Sequence, residues 1–349
     1  CFFAGYMIRF IVDEKKVIPD YIFAYTQSKT YSEWVAAIQR AAGQPNINAE
    51  EYKSLNIPIP PLEIQNQIVA IMDNAYTSKK QKEAEAKRLL DSIDDYLLGE
   101  LGIELPEPEE NTVKNRIFSR KLSDISGGRF DPYYYKYEFE NLENTLKTGT
   151  YKTIKFLKLI EYISSGATPK KSEQDKYYTN DSTKGIPLLR VQNITAEGIK
   201  LDDVIFITPE THKQDLKRSQ VFSGDLLITI TGRIGSSAVV PCNFEANINQ
   251  HSVIVRTNQK LVLNKYLAIY FNSYIGQKIA FRETTGGTRP ALDYIALKSI
   301  LIPIPHLEKQ QEIAEHITKI RKEAKQLQEE AKRELEEAKI TVEKMILGD

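Results

Sequence analysis

The apolar positions of this chain follow two different periods. From Ile313 onward they recur in alternating steps of three and four: Ile313, Ile317, Ile320, Ala324, Leu327, Ala331, Ala338 and Met345, with Glu334 and Thr341 as polar members. That is a heptad seam, and it predicts a long helix over 307–349. The same frame earlier in the chain holds Ile68, Met72, Ala75, Lys79, Lys82, Ala86, Leu89, Ile93 and Tyr96, predicting a second long helix over 62–103. Two seams in one register imply two helices packed on each other. A helix over 307–346 would reach about 60 Å at 1.5 Å per residue, too long for a surface helix on a small domain, so it reads as a spacer. Between the helices the period falls to two. Asp225–Thr231 and Ser252–Val255 alternate between glycines at 224, 232 and 235, predicting short strands. Short helices are expected at 155–162 and 264–282. The fold class is α+β: a strand-rich body joined to two long helices.

The chain also repeats itself. Lys53-Ser54-Leu55-Asn56-Ile57-Pro58-Ile59-Pro60-Pro61-Leu62-Glu63-Ile64-Gln65 returns as Lys298-Ser299-Ile300-Leu301-Ile302-Pro303-Ile304-Pro305-His306-Leu307-Glu308-Lys309-Gln310. From 53 to 68 ten of sixteen positions are identical, where chance would give about one. Without a gap, Tyr21 and Tyr25 align with Tyr266 and Tyr270, and Pro45 with Pro290. At this offset Cys1 corresponds to Ala246, so the first copy, 1–61, lacks most of what the second carries. A first residue that is Cys inside an apolar stretch reads as a chain cut from a longer one.

Leu105-Pro106-Glu107-Pro108-Glu109-Glu110-Asn111 can neither continue a helix nor fill a core. It makes 104–116 a linker and starts a complete domain at 117–306.

The whole chain of 349 residues carries 47 basic and 47 acidic side chains, but not evenly. Residues 117–306 hold 25 Lys and Arg against 18 Asp and Glu, whereas 62–116 hold 7 against 12 and 307–349 hold 9 against 11. A basic body suits a phosphate backbone; acidic helices suit a protein partner. Cys1 and Cys242 have no CxxC or Cys/His spacing, which points to a reducing compartment and no zinc site. With no signal peptide and no stretch of about 18 apolar residues, a cytoplasmic protein without a membrane partner is expected.

Polar residues gather at turns in the basic body. Gly166-Ala167-Thr168-Pro169-Lys170-Lys171 offers Thr168 and the cations Lys170 and Lys171 for phosphate contact. Arg190-Val191-Gln192-Asn193 groups a guanidinium with two amides, the chemistry that reads guanine and adenine edges. Thr231 and Arg233 lie in a Gly-flanked turn, Gln250 in Asn249-Gln250-His251, and Arg282, Thr284 and Arg289 in a loop ending the domain. These twelve residues are the candidate DNA-binding set. Each turn alone would more often be ordinary; together they form a candidate reading surface.

No catalytic centre emerges. Asp131-Pro132-Tyr133-Tyr134-Tyr135 lacks the second proline of the (N/D)PP(Y/F) loop of adenine-N6 methyltransferases. The 232–237 turn lacks a GK[ST] ending. His212, His251, His306 and His316 are scattered without a nucleophile or metal pattern, and Asp13-Glu14-Lys15 reads as a charged hairpin turn. No metal and no cofactor are expected.

With these residues in view, the chain resembles the specificity subunits of type I restriction-modification enzymes. The carriers are Gly166–Pro169, Ile186–Asn193, Gly224–Gly235, Asn247–Gln250, Gly287–Pro290 and, most specific, the duplicated Ile-Pro-Ile-Pro string before a long helix. The resemblance implies target recognition domains joined by two long helices in an antiparallel coiled coil. Each domain would read half of a bipartite site in double-stranded DNA. Separate methyltransferase (modification) subunits, and through them a restriction subunit, would do the chemistry, making this chain a non-catalytic subunit. The partner-facing and coiled-coil set is Ile68, Met72, Leu89, Ile93, Ile313, Ile317, Ile320 and Leu327. The short first copy departs from the pattern: either the chain is a fragment, or two copies associate to supply two complete domains. Two other readings stay open, a coiled-coil scaffold with an incidental basic domain and the recognition region of a fused restriction-methylation enzyme.

Overall fold

The computed structural model describes residues 7–38, 46–107, 110, 112–125, 129–170 and 173–348, Gln174 by its backbone alone. The chain divides into two compact units, Cys1–Leu90 with Arg321–Asp349 and Asp91–Ile320. Two long helices, α4 (Leu62–Leu101) and α13 (Leu307–Leu347), contribute to both.

In the first unit, α1 (Pro19–Thr26), α2 (Lys29–Ile38) and α3 (Ala49–Tyr52) precede α4. Proline opens α1, where its missing N–H costs nothing. A reciprocal Asn48/Glu51 capping box opens α3. Tyr21, Tyr25, Ile68 and Met72 close a core with Leu335, Val342 and Ile346 of α13. Burial, with Tyr25 beside it, pushes the Tyr21 hydroxyl up to about 12.

The helix pair is antiparallel within each unit. In the first, Ser78 Oγ donates to Glu334 at 2.8 Å and Lys82 Nζ reaches Glu330 at 3.1 Å. In the second, Tyr96 stacks on His316 at 4.0 Å and Glu100 pairs with Lys309 at 2.8 Å. All nine frame positions of α4 from Ile68 to Tyr96 are buried or half-buried. In α13 the predicted frame holds through Ala331 and then slips by one residue. Leu335, Val342 and Ile346 are buried while Thr341 is exposed. The consecutive four-residue steps from Leu327 to Ala331 to Leu335 are a stutter, which shifts the apolar stripe toward an eleven-residue repeat.

The second unit holds α5 (Val113–Arg116), α6 (Leu122–Ile125), α7 (Tyr137–Thr148), α8 (Gln174–Tyr177), α9 (Pro209–Lys213), α10 (Asn264–Asn272), α11 (Tyr274–Arg282) and α12 (Tyr294–Ser299). Its strands are β1 (Thr153–Lys155), β2 (Ile160–Ser165), β3 (Tyr178–Thr179), β4 (Ile186–Leu189), β5 (Ile194–Thr195), β6 (Gly198–Ile199), β7 (Ile205–Ile207), β8 (Leu226–Thr229), β9 (Ser237–Val239), β10 (Asn247–Ile248), β11 (Ser252–Thr257) and β12 (Leu301–Pro303). One four-stranded sheet runs β2-β11-β8-β9, all antiparallel; the other runs β10-β4-β7-β3 with β10 parallel to β4. Pairs β1-β12 and β5-β6 complete the set.

Alternation along the strands explains the placement. Leu226, Ile228, Val253 and Val255 enter one core with α7, α10 and α11, while Leu227 and Ile254, pointing to the opposite face, enter a second with Leu189, Val240 and Ile248. Both faces are buried, so the strands are apolar throughout. The helix expected at 155–162 is instead a 3-10 turn at Phe156–Lys158 and strand β2: Ile160, Tyr162 and Ile163, residue types that favour strands, pair with β11. The helical reading of 264–282 resolves into α10 and α11, separated at Ser273, whose hydroxyl caps α11 at Gly276 N.

Candidate nucleic-acid interface

Five polar loops of the second unit meet. Gly166 N donates to Ser252 O and Ala167 N to Ile248 O, both at 3.1 Å; Asn249 N donates to Leu189 O at 3.0 Å; Ile230 N donates to His251 O and Leu292 N to Ile230 O, both at 2.9 Å. The loops at 166–168, 189–193, 230–233, 249–251 and 285–292 are thereby laced together by main-chain bonds. Gly166 is required: a Cβ there would run into the carbonyls of Ile248 and Asn249. Gly232 takes φ +70°, a left-handed conformation that suits glycine.

Side chains continue the lacing. Thr168 Oγ1 donates to Gln250 Oε1, Gln250 Nε2 lies 3.2 Å from His251 Nε2, and His251 Nδ1 lies 2.8 Å from Thr231 Oγ1. Three predicted residues, Thr168, Gln250 and Thr231, are thus joined in one chain through His251. Lys170, Gln192, Arg233 and Arg289 are exposed on the same loops or continuous with them. Lys171 lies outside the described residues.

Other predicted residues are turned inward. Asn193 is fully buried: its Oδ1 accepts from Arg190 N at 2.9 Å and its Nδ2 donates to Lys200 O and Asp202 O at 2.9 and 3.1 Å. Its amide braces the turn and has no face left for a base. Arg190 is half-buried, its Nη2 on Asp203 O at 2.5 Å and its Nε buried without a hydrogen-bond partner. Arg282, with a side chain only 12% exposed, donates to Glu143 at 2.5 Å and lies 4.4 Å over the Tyr134 ring. Thr284 is buried, its hydroxyl donating to Phe281 O at 2.7 Å at the end of α11. These last two hold the domain together, because each has neighbours distant in sequence or a helix end to satisfy.

Asp131 caps the 3-10 helix Pro132–Tyr135 through Tyr134 N at 3.0 Å and pairs with Arg129, a local structural duty. Cys242 is exposed and free. Among the described residues, no group of three or more His, Cys, Asp and Glu is arranged to hold a metal ion. No described helix is long and apolar enough to cross a membrane.

A family model described as the type I restriction modification DNA specificity domain matches residues 1–88 and 149–337. The chain belongs to this family. The two matched segments contain the two copies of the repeat.

Among relatives, it is 28% identical over 141 residues to the EcoBI specificity subunit of Escherichia coli, covering 40% of this chain and 30% of that one. It is 21% identical over 314 residues to the EcoKI specificity subunit of Escherichia coli strain K12, covering 88% and 59%. It therefore spans less than two thirds of the length of either relative. A solved structure described as the basis of complex assembly and conformational transition of the type I R-M system overlays with a TM-score of 0.56 at 17% identity, covering 96% of this chain and 72% of the other. The likeness is one of fold, and in this chain that fold is a mixed helix-and-strand body with two long helices packed together.

Of the predicted helix set, Ile68, Met72, Ile313, Ile317 and Ile320 are buried and Leu89, Ile93 and Leu327 half-buried. Sequence reasoning left His251 out of the site set. Its one visible signal was its place next to Gln250.

Proposed function

We propose that residues 117–306 read duplex DNA as the recognition head of a type I specificity subunit. The paired helices dock the modification subunits, and through them the restriction subunit, while this chain performs no chemistry itself. One observation supports this most: the laced loops end in exposed polar and cationic side chains, Lys170, Gln192, Arg233, Gln250 and Arg289, on a domain with seven more basic than acidic residues. Amides and guanidiniums read base edges, whereas scattered lysines hold phosphates without selecting sequence. The acidic long helices would be repelled by that same backbone and suit a protein surface instead.

Duplex binding by the full chain with its modification subunits, measured by gel shift on specific and random sequences across a salt series, tests the reading. Specific binding with a steep salt dependence supports it. Indifference to sequence would leave a scaffold, and methyl transfer from S-adenosylmethionine by this chain alone would overturn the non-catalytic assignment. Methylation mapping of cells with and without the gene identifies the site.

A further inference from the structure

Gln250 differs from the other exposed polar residues of the laced loops because both of its amide atoms are already held. Its Oε1 accepts from Thr168, and its Nε2 faces His251 Nε2 at 3.2 Å. An amide nitrogen can only donate, so His251 Nε2 accepts, and the ring proton sits on Nδ1, where it donates to Thr231 Oγ1 at 2.8 Å. Turning the amide over would require the other imidazole tautomer and a reversed Thr231 bond. Ring and amide are therefore one coupled unit. The backbone beneath is equally fixed: His251 N donates to the buried Asn249 Oδ1 at 3.1 Å and His251 O accepts from Ile230 N.

Each held atom keeps one valence free. Gln250 is exposed and by valence retains one N–H and one carbonyl lone pair beyond those its neighbours use. In the major groove only adenine offers a matching pair, N7 to accept and N6 to donate; guanine offers two acceptors, and thymine and cytosine one polar group each.

We infer that Gln250 reads an adenine in the recognised duplex and that His251 is the positioning residue that holds its amide edge in one orientation. This rests on the DNA-reading function proposed above. The entropy of ordering a long flexible amide is lost on folding instead of on binding, which sharpens the preference.

The test is selection from a randomised duplex pool by the full chain assembled with its modification subunits, followed by sequencing. Wild type should enrich a motif containing an adenine position that Gln250→Ala weakens about tenfold, the scale of one bidentate base contact, with the other positions unchanged. Gln250→Glu should move that position toward cytosine, whose N4 amine a carboxylate accepts. His251→Ala should broaden the same position, and His251→Phe, which keeps ring volume without the nitrogens, should not restore it. A second readout is 7-deazaadenine at that position, which removes the N7 acceptor and should weaken wild type while leaving Gln250→Ala unaffected. The inference fails if Gln250→Ala lowers every position equally or none, if the affected position is not adenine, or if His251→Phe restores it. A wild-type complex that enriches no motif at all would defeat the DNA-reading function itself, a different outcome from any of these.

Discussion

Gln65 and Gln310 occupy the same position in the two copies of the repeat and make the same three hydrogen bonds. Gln65 Oε1 accepts from Ile18 N at 2.9 Å, and its Nε2 donates to Lys16 O and Pro60 O at 2.9 and 2.8 Å. Gln310 Oε1 accepts from Leu263 N at 2.8 Å, and its Nε2 donates to Leu261 O and Pro305 O at 3.1 and 2.8 Å. Each fully buried amide ties the loop before a short helix to the Ile-Pro-Ile-Pro turn that opens a long one. The tyrosines agree: Tyr21 and Tyr266 donate to Pro58 O and Pro303 O at 2.5 and 2.7 Å. The proline turns serve as acceptors because a proline has a carbonyl but no N–H to offer.

Gln310→Ala leaves a buried N–H and two carbonyls unpaired, which should destabilise the chain by about 2–4 kcal/mol. Gln65→Ala should cost a similar amount. Denaturant unfolding followed by circular dichroism measures both; a loss under about 0.5 kcal/mol in either would mean that the duplicated bonds are incidental.

The stutter in α13 gives a sharper test. Val342 is 1% exposed and Thr341 is exposed, although the regular heptad frame assigned Thr341 inward. Val342→Asp buries a carboxylate without a partner and should cost several kcal/mol. Thr341→Asp should stay within about 0.5 kcal/mol of wild type. The reverse ranking in thermal melts would restore the regular frame.

Hydrogen bonds from Lys82 and Ser78 hold the Glu334 carboxyl below its ordinary value, and the Lys82 ammonium is held above its own by Glu334 and Glu330. A depressed carboxylate contributes stability above its unfolded pKa and loses it as pH falls through the folded value. The contribution of Glu334 is therefore intact at neutral pH and fades below about pH 4.3, the ordinary glutamate value. Glu334→Gln should flatten the acid limb of the stability curve and leave the slope near pH 7 unchanged. An acid limb identical to that of wild type would show that the pair adds nothing.

How much of this was legible depended on whether the signal was local. The long helices were visible because apolar spacing is a local code, and the duplication because Gln65 and Gln310 sit in matching strings. The loops at 166–168, 231–233 and 249–251 announced themselves through Gly, Thr and amide residues. What a turn composition cannot say is which way a side chain faces. Asn193 and Gln250 are both amides in turns, yet one is buried under the backbone carbonyls of Lys200 and Asp202 and the other is exposed. Arg282 looked like a DNA contact because its partner Glu143 lies 139 residues away in the chain. After Ala331 the buried place falls to Leu335, while Glu334, allowed as a polar seam member, stays half-buried in bonds to Ser78 and Lys82.

Gly166 underlies the candidate site. A methyl group there meets backbone and not a movable side chain, so Gly166→Ala must displace the 248–250 loop. It should lower stability by about 1–3 kcal/mol through local overpacking and abolish sequence preference while leaving salt-dependent, non-specific DNA binding largely intact. Measuring specific and random duplex in parallel separates the two. Retained preference would place the reading surface elsewhere.

Arg282 and Arg289 belonged to one predicted loop and are separated by the structure. Arg282 is mostly buried, paired with Glu143 and packed on Tyr134. Arg282→Gln leaves that carboxylate without its guanidinium and should destabilise by about 1–3 kcal/mol, the lower figures reflecting the partial exposure of Glu143. Any loss of DNA affinity should then track the loss of folded protein. Arg289 is exposed and makes no ion pair among the described residues. Arg289→Gln should leave the melt within about 0.5 kcal/mol while lowering duplex affinity. If its contact is to phosphate, the loss should be similar on all sequences and the slope of log affinity against log salt should fall by about one; if it is to a guanine edge, the loss should concentrate at one base position. A normal melt for Arg282→Gln combined with unimpaired DNA binding by Arg289→Gln would reverse both assignments.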